Sequence, residues 1–224
     1  MKRFLRDNGL SIVFGLLFLG TLVGQAVAGQ AHFNNRQVVE GGQEVSFWAF
    51  LTTSEFAVDV AENWQSEYLQ FFLYIFATVW FIQRGSPESK TPDTIGTETD
   101  EQQQVGRYAT ADSPKWVRAG GWRTALFSRS LGFTMGGLFL LSWLAQSIAG
   151  LSAYNAGQLA QLTDPLTWPQ YLGSADFWNR TLQNWQSEFL AIGSMAVLSV
   201  YLRQRGSPES KPVGAAHAVT EDTG

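Results

Sequence analysis

Cysteine is absent from the 224 residues, and histidine occurs only as His32 and His217. The first absence excludes disulfide staples, thiolate metal sites, thiol nucleophiles and dithiol redox chemistry. The second leaves too little imidazole for bis-histidine haem or a histidine-rich metal centre within the chain. Charge is scarce as well: Asp, Glu, Lys and Arg make up 15% of the residues, against roughly 25% in an ordinary soluble domain. The formal net charge of −4 offers no electrostatic attraction for nucleic acid. A phosphate-binding Gly-rich loop, a zinc-protease helix and a strand-to-helix serine elbow are all missing. What the chain has instead is aromatic mass, 14% of residues with nine Trp. Its mean hydropathy of −0.05 looks soluble, but an average can hide strongly apolar blocks among polar loops.

Such blocks occur at Leu10–Ala28, Tyr68–Ile82, Leu131–Ala149 and Phe189–Leu202. The first and third have the length needed to cross a bilayer, which takes about 20 helical residues. The shorter two follow helix-compatible stretches, Ser54–Glu67 and Ala175–Glu188, so longer helices can cross with polar residues in their outer turns. Thr53 and Ser174 are expected N-caps, with Glu55 and Asp176 placed to suit the positive helix end. Arg84-Gly85-Ser86-Pro87 and Arg205-Gly206-Ser207-Pro208 supply a cation for the last turn, a C′ glycine and a proline stop.

The first block also fits a secretory signal: Met1-Lys2-Arg3-Phe4-Leu5-Arg6 is a basic leader, and Ala26-Val27-Ala28 a small-residue cleavage site. An internal repeat favours a retained helix. Asn63-Trp64-Gln65-Ser66-Glu67 returns as residues 184–188, and Gln83-Arg84-Gly85-Ser86-Pro87-Glu88-Ser89-Lys90 as residues 204–211, both after 121 residues. The same offset matches about a third of positions from Asn8 to Lys90, more than shared apolar composition explains. The third block lies too far along the chain to be a signal peptide, so its equivalent is expected to stay, with cleavage after Ala28 as the alternative. With the N-terminus cytoplasmic, thirteen of the fifteen Lys and Arg fall inside, and only Arg36 and Arg180 outside.

The expected fold class is therefore an all-α membrane protein with four transmembrane helices, arranged as two tandem parallel-repeat hairpins. Residues 1–90 form the first, with crossings near 10–28 and 64–83. Residues 91–128 form a flexible cytoplasmic linker and a basic, aromatic juxtamembrane segment suited to the inner headgroups. Residues 129–211 form the second, with crossings near 131–149 and 185–203, and residues 212–224 a disordered cytoplasmic tail. The outer loops, Gly29–Thr52 and Gly150–Gly173, carry apolar patches at residues 47–51 and 168–172 able to dip into the outer interface.

Two groups of residues are candidates for function. Asn63, Ser66, Glu67, Gln70 and Tyr74 share a helical face; Asn184, Ser187 and Glu188 repeat its outer part, and Gln25 and Gln146 reach a similar depth as partners. Glu67 and Glu188 would be an ionisable pair near low dielectric, or headgroup-level residues that glue helices together beside the anchors Trp64 and Trp185. The second group is cytoplasmic: Arg84, Glu88 and Lys90 with Arg205, Glu209 and Lys211. Helix termination explains the Arg, Gly and Pro of this motif but not the retained Glu-Ser-Lys, which suggests docking. Asp59 with Glu62, Glu40 with Glu44, and His32 are read as exposed polar residues.

The duplicated Asn-Trp-Gln-Ser-Glu and Gln-Arg-Gly-Ser-Pro-Glu-Ser-Lys segments resemble those of a bacterial membrane-protein family known by a domain-of-unknown-function label. The resemblance implies a location in the bacterial cytoplasmic membrane, and it brings no activity, cofactor or site residues; the four crossings and the charge placement give the expectation of a multi-pass chain with both termini cytoplasmic. The expected function is a non-enzymatic structural or partner-binding module. Its expected partners are the lipid bilayer and a cytoplasmic or membrane protein, with self-association open and nucleic acid excluded; no catalytic residue, metal ligand or cofactor is assigned. The alternative is a small-solute or ion transporter using Glu67 and Glu188.

Overall fold

The computed structural model describes residues 2–221, and every regular element among them is helical. A short α1 (Lys2–Asp7) leads into α2 (Gly9–Val39), then α3 (Phe47–Phe50) and α4 (Ser54–Trp80). Two short helices, α5 (Lys115–Arg118) and α6 (Gly121–Phe127), precede α7 (Ser130–Ala160), α8 (Trp168–Leu172) and α9 (Ala175–Tyr201). Two helices, α2 and α7, are long and apolar enough to cross a membrane. Each has 31 residues, about 46 Å of helix. The long helices correspond in pairs: α2 and α7 begin and end 121 residues apart, and so do α4 and α9.

The chain divides into two compact units. In the first, Met1–Ala61 with Ala145–Ser174, the segments expected as outer loops are largely helical. Their polar residues close the turns that follow. The Asn34 amide donates to the Val45 carbonyl at 3.0 Å and accepts from the Val45 N–H at 2.9 Å. Asn155 holds Leu166 in the same way, 2.8 Å in each direction. Ser46 then accepts from the Ala49 N–H to start α3, and Thr167 with Gln170 forms a capping box on α8. These caps turn one aromatic of each short helix inward. Phe50 and Tyr171 are buried, standing over Gly29 and Gly150 respectively, while Trp48 stays exposed. The ends of α2 and α7 differ in one respect: Gly41 takes the left-handed conformation at φ 76°, and Leu162 must take it at φ 58°. His32 lies on α2 and is exposed.

The second unit comprises Glu62–Leu144 and Ala175–Gly224. The Phe72 and Phe76 rings fill the space over Gly136 and Gly132 of α7, where a β-carbon would stand 2.8 and 3.1 Å from them. Trp143 of α7 lies among Phe139, Phe177, Trp178 and Trp185 at centroid distances of 5.6 to 6.2 Å. The repeat preserves only the rim of this cluster. At the 121-residue offset Phe18, Phe56 and Trp64 stand for Phe139, Phe177 and Trp185, but Leu22 stands for the central Trp143 and Ala57 for Trp178. In the basic segment, Trp122 packs edge-on to Trp116 at 6.3 Å and carries Arg123 over its ring.

Helices α4 and α9 stop at Trp80 and Tyr201, slightly before the expected limits of 83 and 203. The reason is competition for the last carbonyls. The Val79 carbonyl accepts from the Gly96 N–H at 2.8 Å, and the Val200 carbonyl bonds to the His217 ring at 3.1 Å. Those acceptors would otherwise take the amides of residues 83 and 204.

Candidate functional site

The repeated exit motif builds one turn twice. In the first copy the Ser86 N–H donates to the Gln83 carbonyl at 3.0 Å, and the Ser89 hydroxyl accepts from the Gln83 N–H at 2.8 Å. In the second, the Ser207 N–H donates to the Gln204 carbonyl at 3.2 Å and the Gln204 N–H to the Ser210 hydroxyl at 2.9 Å. Gly85 and Gly206 both adopt the left-handed region, at φ 90° and 82°, which favours glycine.

The two lysines then gather the chain that follows. Lys90 donates to the Gly96 carbonyl at 2.7 Å and pairs with Glu98. Lys211 is buried and donates to the carbonyls of Ala216, His217 and Val219 at 3.3, 2.9 and 3.1 Å. Residues 91–98 and 212–219 share no identity at the 121-residue offset, yet each wraps around its own lysine. The segment expected as a disordered tail thus carries defined bonds as far as Glu221, whose N–H reaches the Ser86 carbonyl at 3.4 Å; residues 222–224 lie outside the described part.

Of the candidate docking residues, Arg84, Arg205 and Glu209 are exposed, Glu88 and Lys90 half-buried, and Lys211 buried. Tyr74 donates to Glu88, which also shares a hydrogen bond with Glu209. That carboxyl contact needs a proton, and it raises the Glu209 pKa. The bond is present at low pH and is lost as pH rises through the raised value. Glu98 moves the other way, lowered chiefly by its hydrogen bond from Lys90.

The polar stripe is arranged differently from its sequence pattern. Ser66 is buried and donates to Glu188 at 3.3 Å, whereas Asn63 and Glu67 are exposed. The residue missed was Gln65: it is fully buried, and its side-chain carbonyl accepts from the Trp185 indole at 2.8 Å. Asn184 is half-buried and Ser187 exposed. The inward face of α4 runs through Val58, Ala61, Gln65 and Leu69, a spacing of three and four that centres it one residue before the polar stripe. Gln25 and Gln146 belong to the first unit, where Gln25 is half-buried and Gln146 buried.

Glu62, expected as an exposed charge, pairs with Arg180 at 3.0 Å, and Arg180 reaches Asp176 at 3.5 Å. Around them Asn179, Gln183, Asn184 and Ser187 complete an open polar cleft of about 540 Å³. No group of three or more His, Asp or Glu able to hold a metal ion occurs among the described residues.

An all-helical chain with two membrane-length helices and paired exit turns defines the class. The chain belongs to the DUF6766 family, a domain of unknown function whose profile matches residues 1–222. No curated protein and no solved structure matches it.

Proposed function

We propose that the chain is a four-crossing membrane module, two parallel hairpins whose cytoplasmic ends form a docking platform for a protein partner. Several features support the topology. Helices α4 and α9 each have 27 residues, about 40 Å, enough to cross despite their polar outer turns. The apolar side chains of α2, such as Leu10, Phe14 and Leu16, are exposed and suit a hydrocarbon surround. The distribution of Lys and Arg supports a cytoplasmic position for the exit motifs.

The observation that carries the docking reading is the division of labour within the motif. Gly, Ser and Lys are used to build the turn, while Arg84, Arg205 and Glu209 remain exposed on it. Nothing in the turn itself requires the two arginines, and the Glu209 carboxyl meets Glu88 of the other motif without closing its own turn. No catalytic step is assigned.

The test replaces Arg84, Arg205 and Glu209 together by alanine, leaving the turn-forming residues in place. Co-purification from native membranes is expected to lose a partner that the wild type retains. An identical set of co-purified proteins would end the docking reading.

A further inference from the structure

The two exit turns have the same backbone and different neighbours. At the first, the Gly85 N–H donates to the Thr220 hydroxyl at 2.9 Å, and Ser199 donates to Ser86 at 3.4 Å. Val200 and the His217 carbonyl stand so close to Gly85 that a β-carbon would have no room. Gly85, Ser86 and Pro87 are consequently buried. At the second turn Gly206 faces open space, Gly206 and Pro208 are exposed, and Ser207 is half-buried. One copy of the surface is filled and the other is empty.

What fills the first copy has its own counterpart 121 residues earlier. Ser199 and Val200 correspond to Thr78 and Val79, and Thr220 and Glu221 to Thr99 and Asp100. Hydroxyl stands for hydroxyl, valine for valine and acid for acid, whereas His217 corresponds to Gly96, which is buried. Thr99 and Asp100 are exposed, and Thr78 and Val79 half-buried. The chain therefore carries an unfilled receiving turn and a second copy of the group that fills one, in which the Thr99 hydroxyl is bonded to Gln102 at 3.1 Å and not to a turn.

We infer that the Gly206–Ser207 turn is a docking surface for a second copy of this chain, which presents Thr78, Val79, Thr99 and Asp100 to it. The receiving backbone is already formed, with its Ser207 and Gln204 bonds in place, so docking needs no refolding of the turn. The contact is heterologous, joining two different patches, and such contacts close into rings when the rotation permits. Parallel hairpins keep each added copy in the plane of the membrane, and two chains are the smallest ring. The inference rests on the docking reading above and gives that reading a specific partner.

Because the native chain has no cysteine, disulfide trapping in native membranes tests it cleanly. The full chain carrying S86C and T220C is expected to close internally, leaving its mass unchanged and its thiols protected from maleimide. Co-expressed chains carrying S207C and T99C singly are expected to form a crosslinked species at twice the 24.8 kDa chain mass, about tenfold above either chain expressed alone. Internal closure of the first pair without a mixed crosslink would overturn the inference. So would S207C alone crosslinking as well as the mixture, which indicates a symmetric contact, or failure of the first pair to close. Loss of a foreign partner in the alanine variant without any mixed crosslink would leave the docking reading standing and remove this inference alone.

Discussion

Replacing Lys211 by methionine is expected to release residues 212–221 from the exit turn and raise hydrogen exchange there about 100-fold. The substitution keeps the apolar stem and removes the ammonium that three carbonyls share. Hydrogen bonds to a charged group contribute about 1.5–3 kcal/mol each in isolation, and part is offset by the cost of burying the charge. A net loss of about 3 kcal/mol follows, which is roughly two powers of ten in the local opening equilibrium. The amides to follow are those of Ala215, Val219 and Glu221, which bond to Pro212, Ala216 and Ser86. The same replacement at Lys90 should raise exchange over 91–98 by less than about tenfold, because Lys90 is partly exposed and screened by solvent. Unchanged exchange at all three amides in the Lys211 variant would mean that the lysine does not hold the segment.

Gly150→Ala is expected to destabilise the protein by about 2–3 kcal/mol, the upper part of the range of about 1–3 kcal/mol for forcing an extra carbon into a packed site. The new methyl would overlap the Tyr171 hydroxyl and approach its ring carbons at 3.1 and 3.2 Å. Tyr171 cannot easily retreat: it is fully buried, packs on Tyr154 at 5.7 Å, and sits on a helix held by the Thr167 capping box. Gly29→Ala meets only the edge of the Phe50 ring, at 3.0 Å, and should cost about 1 kcal/mol. Adding Tyr171→Phe to Gly150→Ala makes the second site resemble the first and should restore part of the loss. Thermal unfolding in detergent measures the series, and equal midpoints for the two alanine variants would contradict the described packing of Tyr171.

Much of the helical frame was legible because it depends on local signals. Thr53 accepts from the Phe56 N–H at 3.2 Å, as an N-cap at that position should, and the paired limits of the long helices follow the offset between the two pentapeptides. The continuation of α2 to Val39 was hidden because residues 29–39 are polar enough to read as loop; Asn34 and Phe33 secure it through Val45 and Phe50, partners a hydropathy scan does not see. The segment 212–221 was illegible for a related reason. Its backbone carbonyls accept from a lysine earlier in the chain, and carbonyls leave no mark on composition. At the stripe, polarity pointed to Glu67 while packing selected Gln65. A buried amide paired with an indole looks in sequence like any surface glutamine.

The measurement that bears most directly on the four-crossing account is labelling of single cysteines placed at Glu44, Gln102, Asp164 and Ala218, all exposed positions. With a membrane-impermeant maleimide, E44C and D164C should react in intact cells, and Q102C and A218C only after the membrane is opened. Reaction of Q102C in intact cells with protection of D164C is what crossing by α2 and α7 alone would produce, and that pattern would contradict the account.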